Sequence, residues 1–181
     1  MSIQLIVCVD ENYAIGNKSH LLFEIENDMR HFKEITTYNE YGLKNFIVMG
    51  RKTFQSLKKP LKDRINVIIT RDKKFKVNDL HVIVCNSLRN VINQYLSGEQ
   101  QKEMFIIGGS QIYEQAIPYV DTIHLTHIHN KAKHADTYFN QEWLNNFEEI
   151  DREVHYSDKY QCRYDFVTYK RKEDVVGGRD T

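Results

Sequence analysis

The carboxylate Asp28 lies where residue spacing predicts the apolar side of a helix. Apolar residues recur at helical intervals across residues 24–35, at Ile25, Met29, Phe32 and Ile35. Asp28 follows Ile25 by three residues and precedes Phe32 by four, so it points with them toward the interior. A buried carboxylate must be paired, hydrogen-bonded or protonated, and beside a cavity its raised pKa suits proton chemistry near neutral pH. The alternative is a structural Asp at the edge of the stripe, bonded to a loop or to the helix N-terminus.

A basic segment, Gly50-Arg51-Lys52-Thr53, comes directly after a predicted strand and before a predicted helix. Backbone N–H groups at a helix N-terminus bind phosphate, and two cationic side chains add donors. The segment lacks the first glycine of a P-loop, because Asn45 stands there, and Arg51 separates the glycine from the lysine. These departures argue against a P-loop NTPase. A solvated basic turn is the alternative to a phosphate site.

A second glycine segment, Ile107-Gly108-Gly109-Ser110-Gln111-Ile112-Tyr113, also joins a predicted strand to a predicted helix. Paired glycines allow the backbone to approach a ligand closely. The segment does not match the dinucleotide pattern G-x-G-x-x-G, since the third glycine is absent. A tight strand-to-helix turn without a ligand is equally compatible with the spacing.

Arginines and histidines give weaker signals. Arg64 and Arg71 flank the third predicted strand, where an arginine can bind a carboxylate or phosphate with two hydrogen bonds. Histidines cluster near the sixth predicted strand, at His124, His127, His129 and His134. No cysteine or carboxylate completes a known ligand spacing there, so strand and surface histidines are favoured over a metal site.

The composition suits one domain with a sizeable core. The chain has 181 residues, of which 41% are hydrophobic and 12% aromatic. Its 25 Lys and Arg residues balance 25 Asp and Glu residues, which argues against bulk attraction to nucleic acid or an anionic membrane. The three cysteines, Cys8, Cys85 and Cys162, are isolated, and no signal peptide or membrane span is evident. We therefore expect free thiols and a cytoplasmic location.

Short apolar runs alternate with helical patterns, which predicts an α/β fold with a mostly parallel sheet. The runs predicted as strands are 3–9, 46–49, 65–70, 81–85, 104–107 and 122–128, and their hydrophobicity predicts burial on both faces. A long polar loop containing Gly16 follows the first strand. The remaining predicted helices cover 52–57, the segment between Ser87 and Gly98, and 111–117. Two further segments, 148–156 and 162–169, complete eight strands with an antiparallel C-terminal edge.

In combination, these segments resemble dihydrofolate reductases over residues 3–170. The matching pieces, in family order, are Val9 to Gly16, Asp28 to Lys33, Ile47 to Leu57, Pro60-Leu61 with Arg64 to Ile68, Ile107 to Gly109 with Ile112-Tyr113, Leu125 to Ile128, and Asp136 to Phe139. The resemblance implies a single reductase-like domain over 1–171, with a flexible tail at 172–181. It implies NADPH-dependent reduction of 7,8-dihydrofolate, no metal, no nucleic-acid or membrane partner, and a monomer.

The resemblance also implies roles for residues near the pterin. Asp28 resembles the acid that holds the pterin's amidine edge and favours protonation of a ring nitrogen, and Thr126 resembles the threonine that supports it. Arg64 resembles the arginine that grips the carboxylate of the substrate's glutamate tail. The other substrate positions implied are Ile6, Val7, Met29, Phe32, Leu57, Ile107 and Tyr113.

For NADPH, the resemblance implies phosphate contacts from Arg51, Lys52 and Thr53, and 2′-phosphate contacts from Thr70 and Arg71. It implies a cis peptide bond between Gly108 and Gly109, and a mobile loop over residues 16–22 that closes over the nicotinamide. The other cofactor positions implied are Cys8, Ala14, Ile15, Gly16, Leu21, Gly50, Ser110, Gln111 and Ile112.

The chain departs from the family at Leu22-Phe23, where the family usually has Pro-Trp and where the resemblance places two catalytic positions. Phe23 keeps the aromatic bulk but has no indole N–H to donate. Two alternatives therefore stay open: a pyrimidine reductase of riboflavin synthesis on the same fold, and a non-catalytic scaffold that binds folate and NADPH. The first would act on a substrate without a glutamate tail, and the second would bind without turnover.

Overall fold

The computed structural model describes residues 2–18, 20–99 and 101–173, which are built around a central sheet. Its strands are β1 (Ile3–Val9), β2 (Ala14–Gly16), β3 (Phe46–Gly50), β4 (Ile65–Ile69), β5 (Val82–Cys85), β6 (Met104–Ile106), β7 (Thr122–Ile128), β8 (Thr137–Tyr138), β9 (Phe147–Ser157) and β10 (Cys162–Arg171). Eight of them form one sheet in the order β5-β4-β3-β6-β1-β7-β10-β9. Neighbours from β5 to β7 pair in parallel, whereas β10 pairs antiparallel with both β7 and β9. The predicted mixed, mostly parallel eight-stranded sheet is confirmed.

Helices cover both faces of this sheet. They are α1 (Glu26–Thr37), α2 (Arg51–Ser56), α3 (Leu88–Ser97) and α4 (Ser110–Ala116), with short 3-10 helices at Ile117–Tyr119 and Gln141–Asn146. The predicted caps of α3 are confirmed, because the Ser87 side chain accepts a hydrogen bond from the Asn90 N–H and Gly98 ends the helix. In the described part of the chain, no helix is both long and apolar enough to cross a membrane.

Side-chain alternation along β1 divides the core between the two faces of the sheet. Leu5 and Val7 belong to the larger core cluster, together with Ile92 of α3 and Ile112 of α4. The opposite face carries two smaller clusters beneath α1. One contains Phe23, Ile25, Ile128 and Phe166 with Cys8 packed against it, and the other contains Ile47, Met49 and Phe105 with Phe32 and Ile35 packed against it. The functional side chains described below line this α1 face and the carboxyl ends of the strands.

Two elements differ from the sequence prediction. Burial on both faces is wrong for β5, where Ile83 is 45% exposed, because this strand forms the edge of the sheet. The polar loop after β1 contains β2, which pairs antiparallel with β8 in a separate two-stranded sheet. A flexible tail is predicted at 172–181, and its residues 174–181 lie outside the described part of the chain.

Candidate functional site

Asp28 lies in the first turn of α1 and reaches across to the central sheet. Its Oδ1 accepts a hydrogen bond from the Thr126 hydroxyl of β7, at 2.6 Å. Burial raises the pKa of Asp28, whereas the Thr126 hydrogen bond and the charge of His31 act in the opposite direction. Asp28 is thus the interior carboxylate that the spacing predicts, and its partner is on a strand rather than in a loop.

Cys8 adjoins this pair from the neighbouring strand, where it is in register with Thr126. Burial, followed by the charge of Asp28, raises the pKa of the Cys8 thiol well above its usual range. The thiol therefore stays protonated at neutral pH and donates a hydrogen bond to the Asp28 carboxylate.

An apolar wall extends from Asp28 toward α2. Phe32, Leu57 and Ile107 pack in the same cluster, so the structure brings these three predicted substrate positions together. Met29 is 54% exposed, so its predicted inward orientation is wrong. The side chain of Val7 lies in the core on the other face of the sheet, because successive residues of a strand alternate. The side-chain role predicted for Val7 in the cleft is thus incorrect, whereas Ile6 is on the α1 side.

Arg64 is anchored beside this wall and is only 5% exposed. Its Nη1 donates to the Thr36 hydroxyl at 2.9 Å, and its Nε donates to the Lys62 carbonyl at 2.9 Å. The guanidinium also lies 5.8 Å from the centre of the Phe32 ring. Burial lowers the pKa of Arg64, although its normal pKa is so high that it stays charged.

The two glycine segments meet at the carboxyl ends of β3 and β6. The Gly50 N–H donates to the Gly108 carbonyl at 2.8 Å, and a cis peptide bond joins Gly108 to Gly109. A Cβ added to Gly108 would lie 2.9 Å from the ring of Tyr113, so only glycine fits there. The Tyr113 hydroxyl lies 2.9 Å from the carbonyl oxygens of both Ile6 and Ile107. Tyr113 therefore connects the middle of α4 to the middle of β1 and to the residue that follows β6.

Basic residues gather where α2 begins and β4 ends. Gly50 is in register with Ile69 on the next strand, which places Arg51 and Lys52 close to Thr70 and Arg71. Arg51 Nη1 forms an ion pair with Asp72 Oδ2 at 2.8 Å. The first turns of α2 and α4 have no side-chain cap, so their N–H groups face outward from Gly50 and Gly109. Thr53 adjoins this edge, since its hydroxyl lies 3.6 Å from a Cβ built on Gly109.

Residues 2–171 match the family model of dihydrofolate reductase. The chain belongs to the dihydrofolate reductase family. It is 32% identical to the dihydrofolate reductase of Bacillus subtilis over 179 residues, which cover 97% of this chain and 98% of that protein. It is 31% identical over 185 residues to the bifunctional dihydrofolate reductase-thymidylate synthase of Glycine max, of which the chain spans 33%.

The fold agrees with a solved dihydrofolate reductase from Enterococcus faecalis, complexed with NADP(H) and RAB-propyl. The TM-score is 0.82 at 25% identity, covering 95% of this chain and 97% of that one. Both the predicted family and the predicted fold are confirmed.

The segment that leads from β1 into the loop at residues 16–22 is fastened at several points. Asp10, which the sequence analysis did not single out, is buried and accepts hydrogen bonds from the N–H groups of Asn12, Ala14 and Ala132. Only its position at the end of an apolar strand could have indicated this role. Asp136 accepts from the Lys18 N–H at 2.7 Å. These bonds hold β2, with Ala14, Ile15 and Gly16, against β8.

The chain's departure from the family at Leu22-Phe23 is accommodated by packing. Phe23 is buried and meets the Tyr160 ring edge-on at 5.1 Å, and Leu22 packs against the same cluster. The Tyr160 hydroxyl accepts from the Glu24 N–H at 2.9 Å. The aromatic side chain thus anchors the loop to the turn between β9 and β10, whereas Leu21 is 60% exposed.

His31 is a further neighbour of Asp28 that sequence reasoning missed. It follows Asp28 by one helical turn and stacks on Phe166 of β10, with ring centres 3.8 Å apart. Phe166 is itself in register with Thr126, which donates to Asp28. Burial lowers the pKa of His31, and the charge of Asp28 raises it. The helix pattern alone could not reveal this contact, because Phe166 is distant in sequence.

The histidine cluster forms structural contacts. His124 is 2.7 Å from Gln4 Oε1, and burial lowers the pKa of His124 to about 4. His129 pairs with the buried Asp165, which also binds Arg152 and Arg163. Across residues 2–18, 20–99 and 101–173, no group of three or more His, Cys, Asp or Glu residues is arranged to hold a metal. His134 is exposed.

Proposed function

We propose that Asp28, Thr126 and the paired glycine segments form the active site of an NADPH-dependent dihydrofolate reductase. Family membership supports the reaction itself, in which 7,8-dihydrofolate, NADPH and a proton give tetrahydrofolate and NADP⁺. The observation that carries the assignment of the site is the 2.6 Å hydrogen bond between Thr126 and the half-buried Asp28. It holds a carboxylate of raised pKa at the face where the cleft wall begins.

Asp28 binds and orients the pterin in this proposal. A carboxylate offers about four lone-pair positions, and Thr126 uses one on Oδ1. The remaining positions accept two hydrogen bonds from the amidine edge of the pterin. The negative charge of Asp28 also favours a proton on the ring nitrogen next to the carbon that receives hydride. Asp28 thereby supplies orientation and electrostatic support for the proton step.

The cofactor edge fits a dinucleotide with several phosphates. The uncapped first turns of α2 and α4 offer backbone N–H groups to phosphate oxygens. Arg51, Lys52 and Thr53 hold phosphates here, and Thr70 and Arg71 add contacts to the 2′-phosphate. NADPH supplies the hydride when bound.

Arg64 selects the glutamate tail of the substrate. A guanidinium has five N–H donors, of which Thr36 and Lys62 use two. Those two bonds fix the plane of the group, and its remaining donors can bind a carboxylate with two parallel hydrogen bonds. This arrangement favours a folate over the tail-less substrate of a riboflavin-pathway reductase.

The test is the loss of NADPH absorbance on adding dihydrofolate, with parallel reactions containing NADH or methotrexate. We expect NADPH oxidation that methotrexate blocks and that is slower with NADH. Turnover of only the riboflavin-pathway substrate would favour that reductase. Binding of NADPH and folate without turnover would favour a non-catalytic scaffold.

Replacing Asp28 with asparagine tests the proposed catalytic role. Asp28→Asn should lower the rate at neutral pH by at least about 100-fold, the usual scale for a positioned proton-transfer group. The raised pKa means that the ionised carboxylate costs stability above that pKa. The variant should therefore unfold in urea no earlier than the parent at pH 7, which separates lost chemistry from lost folding. Parental turnover by this variant would refute the role of Asp28.

A monomeric state and a cytoplasmic location stay predictions. The three cysteines are unpaired in the structure, which is compatible with a reducing compartment. Sedimentation at micromolar concentration would test the monomer.

A further inference from the structure

An ion pair links the two basic segments of the proposed cofactor edge. Arg51, the first residue of α2, meets Asp72, in the turn after β4, with 2.8 Å between Nη1 and Oδ2. The two side chains are 37% and 41% exposed, so a ligand can reach both. The pair joins residues 21 apart in sequence.

Asp72 is held in place by its own turn. Its Oδ1 accepts from the Lys74 N–H at 2.9 Å, and its N–H donates to the Thr70 hydroxyl at 3.2 Å. The carboxylate therefore has one oxygen committed to the backbone and one directed at Arg51. Arg51 is the long, flexible partner, which can exchange one anion for another.

The surrounding charges favour an anionic ligand, and Asp72 opposes them. Residues 50–53 and 70–74 contain five basic side chains, Arg51, Lys52, Arg71, Lys73 and Lys74, with Asp72 as the one acid among them. A phosphate that approaches Arg51 must displace Asp72 and then remain close to its charge. A cofactor without a phosphate at this point leaves the ion pair intact.

We propose that Asp72 is a specificity-determining residue that competes with the 2′-phosphate of NADPH for Arg51 and so reduces the preference for NADPH over NADH. The inference rests on the proposed function, which places that phosphate beside Thr70 and Arg71. Arginine binds a phosphate with two parallel hydrogen bonds, which explains how the phosphate displaces a carboxylate held through one Nη atom. The competition lowers affinity without abolishing binding.

The test variant is Asp72→Asn, which keeps an Oδ1 acceptor for Lys74 but removes the charge. Exposed ion pairs and nearby like charges are weak, so we expect NADPH to bind about 3- to 10-fold more tightly and NADH to change by less than about 2-fold. Dissociation constants would be measured by quenching of protein fluorescence, at low and at physiological ionic strength. The gain for NADPH should shrink as salt screens the charges.

A matched control is Asp79→Asn on the same connection. Asp79 also accepts a backbone hydrogen bond, from the His81 N–H at 2.7 Å, and its loss changes the net charge equally. It should leave both dissociation constants unchanged. In an Arg51→Gln background, the gain from Asp72→Asn should fall, because the guanidinium for which Asp72 and the phosphate compete is gone.

The inference would be overturned if Asp72→Asn weakened NADPH binding, which would mean that Asp72 orients Arg51 for the phosphate. It would also be overturned by equal gains for NADPH and NADH, or by an equal effect of Asp79→Asn. If Arg51→Gln leaves NADPH binding intact, the proposed cofactor edge fails as well. If Arg51→Gln weakens NADPH binding but Asp72→Asn gives no gain, only the role of Asp72 fails.

Discussion

Replacing Gly108 with alanine should destabilise both the fold and the cofactor edge. The backbone φ of Gly108 is +106°, a conformation that residues with a Cβ rarely adopt. The added Cβ would lie 2.9 Å from Cζ and 3.1 Å from the hydroxyl of Tyr113. Tyr113 has little room to move, because it is buried and its hydroxyl lies within hydrogen-bonding distance of the Ile6 and Ile107 carbonyls.

The expected loss of stability has two parts. An unfavourable backbone conformation costs about 1–3 kcal/mol. Forcing a methyl group into a packed core costs about 1–3 kcal/mol more. Gly108→Ala should therefore lose about 2–6 kcal/mol, and a loss of 3 kcal/mol would lower Tm by about 6–12 °C in a chain of this size.

The control is Gly42→Ala, which isolates the backbone cost. Gly42 also has a positive φ, +67°, but a Cβ added there would meet nothing within 4 Å. We expect it to lose only about 1–2 kcal/mol. Urea unfolding of both variants, followed by circular dichroism, gives the difference, and NADPH titration should show weaker binding for Gly108→Ala alone. If the two variants lose equal stability and both bind NADPH normally, the Tyr113 contact does not constrain position 108.

Two further predictions concern the acid. Thr126→Val removes a hydrogen bond that stabilises the ionised carboxylate of Asp28, so the pKa of Asp28 should rise further. In the proposal the ionised acid binds the pterin, so the KM for dihydrofolate rises as the pH falls toward the pKa of Asp28. In Thr126→Val this rise should begin at a higher pH than in the parent. An unchanged dependence of KM on pH would contradict the prediction. His31→Phe keeps the stacking on Phe166 but removes a charge that lowers the pKa of Asp28. Its KM should exceed the parental value only at acidic pH, where His31 is protonated, and an equal change at pH 8 would indicate a packing effect instead.

Strong local patterns predicted the long elements. The apolar spacing after Ser87 and the stop at Gly98 located α3, and the alternation of apolar runs with helices predicted the parallel sheet. The same patterns could not identify β5 as an edge strand, because strand order depends on pairings between distant segments. The sequence patterns did not predict β2 and β8, because strands of three and two residues are too short to show the alternation of a strand.

Predictions for the site had a similar limit. The spacing indicated that Asp28 points inward, but the partner Thr126 is 98 residues away, and only the resemblance connected them. An apolar stripe does not distinguish a packed position from one on an open surface, which is why the inward orientation predicted for Met29 was wrong. Asp72 carried no local signal, since an acid among lysines in a turn is ordinary.

The placement of β10 has a consequence for synthesis on the ribosome. This strand is the last in the described chain, yet it lies inside the sheet between β7 and β9. Until residues 162–171 emerge, β7 has an unpaired edge and His31 lacks the Phe166 ring. The nascent polypeptide must therefore hold Asp28 and Thr126 in an unfinished sheet, exposed to aggregation and to chaperones, and reductase activity should appear only after the final strand is inserted.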